Sequence, residues 1–322
     1  NPAPLLFDDF ENGADGERIL GYAGSPWDDD RGTYMANDPL VWYYPTYDDT
    51  MSVDGRGMVA RFEHHLQSNY NNLYFYHDGS HVLYFDADVK MQWLSTVPGN
   101  IKIMRHIISA ARNPVIDIQL VLNNLGGCGE TTGAGIGNDN QDAVAECVTT
   151  RPPDLDMGWS EPRGWGLIDD WSHIQWEYTS NTGGEVGGHS WIDWNCVNKM
   201  NSYNICLMDS DYVPYDGLLI GHQAAWAADA CPEAMTDKAF TFWDHVYLDN
   251  TYARIEIGDA ARYNNCTKRA IQIPSGTGTW EYSTAEFTLR FGPEFAADDS
   301  AYVFLITPAD SMVAEGKGMV LE

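Results

Sequence analysis

The sequence predicts an all-β protein: a β-sandwich followed by a smaller β unit. Three observations predict it. Apolar and aromatic residues alternate with polar ones in short runs. Those runs are bounded by Gly, Asn, Asp or Pro, and only one brief segment, 223–230, reads as a helix. β-branched and aromatic side chains suit a pleated, half-buried surface, and 322 residues with 44% hydrophobic composition can build a sizeable core.

In chain order the strand-like runs are 58–64, 73–77, 82–91, 101–108, 115–122, 172–179, 190–195, 218–221, 240–248 and 252–257. The longest connection, 123–166, reads as a loop stapled by Cys128 and Cys147. Its glycine-rich stretch, with glycines at 126, 127, 129, 133, 135 and 137, is not followed by Gly-Lys-Ser/Thr, so it is no phosphate loop. After Ala261 the texture changes, and 270–274, 285–291 and 301–306 read as three further strands before a strand-like end at 318–321. The expected division is a sandwich over 1–260 and a C-terminal β module over 261–322.

Charge narrows the function. The chain has 18 Lys+Arg against 47 Asp+Glu, a formal net charge of −29. That field repels nucleic-acid phosphates and anionic membrane surfaces, so neither is an expected partner. No run of 18 apolar residues occurs, so membrane insertion is not expected. Yet 12 Trp and 18 Tyr rule out a solvating disordered chain.

The six cysteines, Cys128, Cys147, Cys196, Cys206, Cys231 and Cys266, contain no Cys-x-x-Cys pair, which disfavours a zinc or redox site. Their even number in an acidic, Lys-poor chain favours disulfides formed outside the cytosol. Several connectivities are open, with sequence-neighbour pairing (128–147, 196–206, 231–266) the simplest. The start Asn1-Pro2-Ala3-Pro4 reads like an end left after export cleavage, so an extracellular or cell-surface location is expected.

Two segments carry a resemblance: Phe7-Asp8-Asp9-Phe10-Glu11-Asn12-Gly13, and Phe242-Trp243-Asp244-His245-Val246-Tyr247-Leu248-Asp249. They resemble the two ends of a concanavalin A-like jelly roll, the fold of laminin-G-like modules, many carbohydrate-binding modules and some polysaccharide lyases. The stretch 243–259 also resembles secreted bacterial proteins in which a small β module follows the jelly roll. The resemblance implies that the first strand and a late strand lie side by side. It also implies a structural Ca2+ held by Glu11 and Asp244, with backbone oxygens near Gly13; hard oxygen ligands suit that cation.

Chemical candidates are few. The Glu-x-Asp-x-x-Glu strand of a jelly-roll glycosidase is missing; Asp117 and Gln119 share a face without a second acid. A lyase needs a base and a group to neutralise a uronate carboxylate. Arg105, Gln119, His173 and Gln175 are the set that would supply them, although the same residues suit the solvated face of a half-buried sheet. Among the crowded tryptophans, Trp191 and Trp194 are the candidates for stacking on sugar rings. With no catalytic motif standing out and both chain ends strand-like or Pro-rich, the first functional reading is a non-catalytic extracellular subunit. It would build a surface assembly, by self-association or with other surface proteins, and could contact glycan. A polysaccharide-binding module and a polysaccharide lyase are the alternatives.

Overall fold

The computed structural model describes residues 4–35, 38–51, 57–65, 71–93, 101–107, 117–123, 133–138, 171–179, 188–205, 215–224, 238–273, 287, 289, 295, 300–306 and 319–320. Apart from 3-10 turns at Ile19–Gly21 and Tyr263–Asn265, the regular elements of these residues are strands. They are β1 (Leu6–Asp8), β2 (Asp29–Arg31), β3 (Thr33–Met35), β4 (Asp38–Tyr43), β5 (Thr46–Asp48), β6 (Val59–His65), β7 (Asn71–Ser80), β8 (Val82–Trp93), β9 (Ile101–Ile107) and β10 (Asp117–Asn123). There follow β11 (Gly133–Asn138), β12 (Ser172–Thr179), β13 (Gly188–Trp194), β14 (Val197–Ile205), β15 (Tyr215–Ala224), β16 (Lys238–Asp249), β17 (Arg254–Gly258), β18 (Arg269–Gln272), β19 (Tyr302–Ile306) and β20 (Met319–Val320).

An eight-stranded sheet runs β14-β13-β12-β8-β16-β6-β5, with β1 also on β16, and a six-stranded sheet runs β11-β10-β9-β15-β7-β2. All pairings are antiparallel. Strand alternation turns Phe85, Ala87, Val89, Ile174, Trp176 and Trp243 of the larger sheet toward Leu73, Met104, Leu218 and Ile220 of the smaller, and these form one buried cluster. Burial of this apolar surface is what holds the sandwich closed. Leu6 lies opposite Leu248 and Asp8 opposite Val246, so the first strand and a late strand are neighbours, as the concanavalin A-like resemblance implies.

Two local expectations change. Glycine-rich 133–138 is not loop but the edge strand β11, pairing with β10 from Asn123↔Gly133 to Ile118↔Asn138. Tertiary pairing overrides the weak strand propensity of glycine there. Gln223 and Ala224, read as helix, end strand β15; 225–230 lies outside the described residues. Strand β17, before the expected division at 260, starts a four-stranded sheet of order β18-β17-β19-β20.

Among the described residues there is no disulfide. Cys266 is a buried thiol whose Sγ donates to the carbonyl oxygens of Ala260 and Arg262, each 3.5 Å away. The expected 231–266 bridge is therefore not formed; Cys128, Cys147, Cys206 and Cys231 lie outside the described residues. No helix among those residues is long and apolar enough to cross a membrane.

Candidate functional site

The two sheets have two outer faces, and they differ. On the larger sheet the alternation that sends Ile174, Trp176 and Tyr178 into the core turns His173, Gln175 and Glu177 the opposite way, beside Asp88, Asp86 and Tyr84 of β8. These polar side chains are nonetheless buried, because β17 and β18 lie over them. Arg254 donates from Nη1 to Glu177 Oε1 and to the Tyr252 carbonyl, each at 3.0 Å, and pairs through Nε with Glu256. Its guanidinium lies 3.9 Å from the Tyr84 ring centroid. Arg269 donates to Gln175 Oε1 at 2.9 Å and to Asp193 Oδ2 at 2.7 Å. Gln175 Nε2 donates to the Tyr84 hydroxyl at 2.8 Å, and that hydroxyl donates to Asp86 Oδ2 at 2.8 Å.

Burial alone would push both Arg254 and His173 toward neutrality. The anions and phenols around Arg254 hold it well above the ordinary arginine range, and Asp86 and Asp88 hold His173 well above the ordinary histidine value. Burial likewise raises Asp88, but hydrogen bonds from His173 and His245 bring it well below the usual carboxylate range. This face is thus a buried ionic seam that fastens the four-stranded sheet to the sandwich, although Asp86 Oδ1, His173 Nε2, Glu177 Oε2 and Arg269 Nε make no hydrogen bond within it.

The seam divides the lyase set read from the sequence. Arg105 and Gln119 are cross-strand partners in the six-stranded sheet, whereas His173 and Gln175 pair with Asp88 and Asp86 in the eight-stranded sheet and face away from it. The period-2 pattern gives the face of one strand, not which sheet it joins. Trp191 is in register with Glu177 and only 7% exposed, so it is no exposed stacking platform. Trp194 is in register with Ile174.

The outer face of the six-stranded sheet is crossed by one row of residues, Asp29, Tyr74, Leu219, Arg105, Gln119 and Gly137, one from each strand. At about 4.8 Å between strands the row spans about 24 Å. Beside Tyr74, on the same face, stands Tyr76, with ring centroids 6.3 Å apart. Tyr76 is 40% exposed, while Tyr74 and Arg105 are buried. The exposed Arg31 places its guanidinium 5.4 Å from the Tyr74 ring, and the Tyr76 backbone N–H donates to Asp28 Oδ2 at 2.7 Å. Gly217 lies next to this pair: a Cβ there would come within 2.8 Å of Ile107 and 3.3 Å of the Tyr76 ring. Gly133, Gly135 and Gly137 fall on the face of Gln119. Tyr74, Tyr76 and Arg31 were not singled out from sequence, although the alternation of 73–77 already set both tyrosines on one face.

A third cluster lies where the chain's first and late strands meet. Asp244 Oδ1 accepts the His245 N–H at 2.8 Å, and His245 Nδ1 lies 3.1 Å from Asp88 Oδ2. Glu11 Oε1 accepts the Met58 N–H at 3.0 Å. Burial, opposed by His245 and reinforced by Asp88 and Glu11, pushes the Asp244 carboxyl up to about 8. Burial lowers His245, but Asp88 and Asp244 carry it up to about 9. Among the described residues no group of three or more His, Cys, Asp or Glu side chains is disposed to hold a metal ion. Gly13 packs on Tyr47, where a Cβ would overlap the ring.

No family model matches the chain, and no curated protein does. Among solved structures it is similar to an endo-β-1,4-glucuronan lyase from the fungus Trichoderma reesei, with a TM-score of 0.47 and 10% identity over 70% of this chain and 92% of that one. It is also similar to a mutant of alginate lyase Aly36B in complex with an alginate tetrasaccharide, with a TM-score of 0.47 and 13% identity over 77% and 97%. An alginate lyase from Aplysia kurodai gives a TM-score of 0.43 and 12% identity over 63% and 86%. At these values the likeness says nothing of activity.

Proposed function

We propose that this protein is an extracellular glycan-binding protein that takes a neutral polysaccharide across the outer face of the six-stranded sheet. The observation that carries the reading is Tyr76: a ring 40% exposed, backed by the buried Tyr74 at a centroid distance of 6.3 Å, on a face that crosses all six strands. Aromatic faces match the C–H faces of sugar rings, and the half-exposed Tyr76 ring offers one such face. The neutral class follows from charge, since a chain of net charge −29 repels polyanions at close range.

Calorimetric titration against a soluble β-glucan, a xylan, a mannan and a polyuronate tests it. Binding to at least one neutral polymer, weakened roughly tenfold by Tyr76→Ala at unchanged Tm, supports the reading. Equal affinity of wild type and variant contradicts it.

A second reading has an observation of its own. Arg105 and Gln119 are in register, and Tyr74 lies in the same row. Tyr74 stands two strands from Arg105, across Leu219; in a β-elimination of a uronate the guanidinium and amide would neutralise the carboxylate, while the phenol group would take the C5 proton and return it to the glycosidic oxygen as the C4–O bond breaks. Near-ultraviolet absorbance growing in a polyuronate solution, and lost in Tyr74→Phe, would favour that reading over simple binding. We also propose that Ca2+ joins Glu11 to Asp244 as a structural ion.

A further inference from the structure

Among the described residues three large hydrophobic side chains are exposed: Trp42 at 51%, Tyr76 at 40% and Leu305 at 55%. Tyr76 belongs to the face described above, and Leu305 to the four-stranded sheet. Trp42 belongs to neither. It stands on β4, in register with Tyr34 of β3, in a two-stranded ribbon separate from both large sheets.

Its support is ordered and polar. The Trp42 ring lies against Tyr44, with centroids 6.4 Å apart and planes 24° from parallel. The Arg18 guanidinium lies 3.8 Å from the Tyr44 ring centroid. Arg18 is itself fixed by a two-pronged ion pair with Asp30, including Nε to Oδ2 at 2.7 Å. The backbone is tied as well, since Ile19 N–H donates to the Pro45 carbonyl at 3.1 Å. Asp30, Arg18, Tyr44 and Trp42 thus form a ladder running from a buried carboxylate to an exposed indole. An indole held this way loses little side-chain entropy when a ligand stacks on it.

We propose that Trp42 is a second sugar-stacking subsite, for a pyranose ring of a neutral glycan, at the edge of the sandwich. The inference rests on the glycan-binding reading and extends it to a separate part of the molecule. An indole flanked by an ion pair and a phenol matches a pyranose, which has a C–H face and a hydroxyl rim; an apolar protein partner would need a contiguous apolar patch instead. The Arg18 charge is already matched by Asp30, and the chain's net charge of −29 disfavours an anionic occupant. The ribbon also continues from β2, the edge strand that opens the row at Asp29. One polymer engaging both places would gain affinity through effective concentration, whereas a short oligosaccharide would not.

The test uses the full chain and the same four soluble polymers, with Trp42→Ala, Trp42→Phe and Tyr76→Ala measured beside wild type by calorimetry. The expected result is a loss of roughly fivefold to tenfold in polymer affinity for Trp42→Ala, near wild-type affinity for Trp42→Phe, and unchanged Tm for both. Wild-type affinity in Trp42→Ala overturns the subsite and leaves the six-stranded face standing. A loss in Trp42→Ala with none in Tyr76→Ala keeps the subsite and overturns the face. A wild-type protein that binds none of the polymers overturns both.

Discussion

The outer faces of the two large sheets follow the same sequence rule and meet opposite fates. His173, Gln175 and Glu177 alternate with core residues on β12, just as Tyr74 and Tyr76 alternate with core residues on β7. Read strand by strand, the first set looks like the polar wall of a cleft and the second like ordinary aromatic filling. The structure reverses this. The polar set is sealed under β17 and β18 by Arg254 and Arg269, while the aromatic set keeps Tyr76 partly open to solvent. A strand's pattern states which side chains share a face; what covers that face is decided by elements distant in sequence.

Breaking the sealed face should have the largest effect. Arg254→Met leaves Glu177 and Glu256 buried without their cation, and should cost about 3–5 kcal/mol in urea unfolding. If the loss is under about 1 kcal/mol, the face is not a closed seam.

Calcium should sharpen the corner where the sheet ends meet. The metal-free Asp244 carboxyl titrates at about 8, above its ordinary 3.8, so its contribution to stability is complete below the ordinary value and is lost as pH rises through 8. Calcium at one hundred times its Kd should return about 2.7 kcal/mol at pH 8, and Glu11→Gln should diminish the gain. A Tm indifferent to calcium and chelator would remove the proposed ion.

The core between the faces carries its own pH sensor. His106 packs against Trp176 with centroids 5.1 Å apart and planes 50° from parallel, and neither ring nitrogen has a hydrogen-bond partner. Burial first, and His77 second, lower it to about 3. Because the unfolded chain takes up this proton below about 6.5 and the native one does not, the contribution is complete above 6.5 and is lost as pH falls toward 3. At pH 5 the loss is about 2 kcal/mol for this one group. NMR titration should show the His106 ring neutral at pH 5; a midpoint near 6.5 would place it in contact with water.

The smallest effect belongs to the rim. Arg61 lies 3.3 Å from Glu63 and 3.6 Å from Asp48 with its side chain 35% exposed, and Arg61→Ala should cost about 0.2–1 kcal/mol, less at high salt.

The sandwich was legible in the sequence because burial on one face imposes period two, and strands such as β8, β12 and β16 carry it plainly. The pairing of the first strand with a late one was legible through the Phe-Glu-x-Gly start and the Asp-x-Val strand near the end. Strand β11 was not, since Gly133-Ala134-Gly135-Ile136-Gly137 has turn chemistry and becomes a strand only by pairing with β10. The candidate site was half legible. Arg105 and Gln119 fall in one row, but their joining with His173 assumed that neighbouring polar strands share a sheet. Trp191 shows the complementary error: an aromatic in a polar run looks available, and here it is covered. Trp42 gave no signal, because its exposure depends on where the ribbon leaves the sheets.

The most direct measurement is polymer affinity by calorimetry for Tyr76→Ala and His173→Gln, each paired with its Tm. If the six-stranded face is the working one, Tyr76→Ala lowers affinity roughly tenfold and leaves Tm unchanged, whereas His173→Gln lowers Tm and leaves affinity unchanged. The reverse pattern, affinity lost in His173→Gln and kept in Tyr76→Ala, would contradict the account.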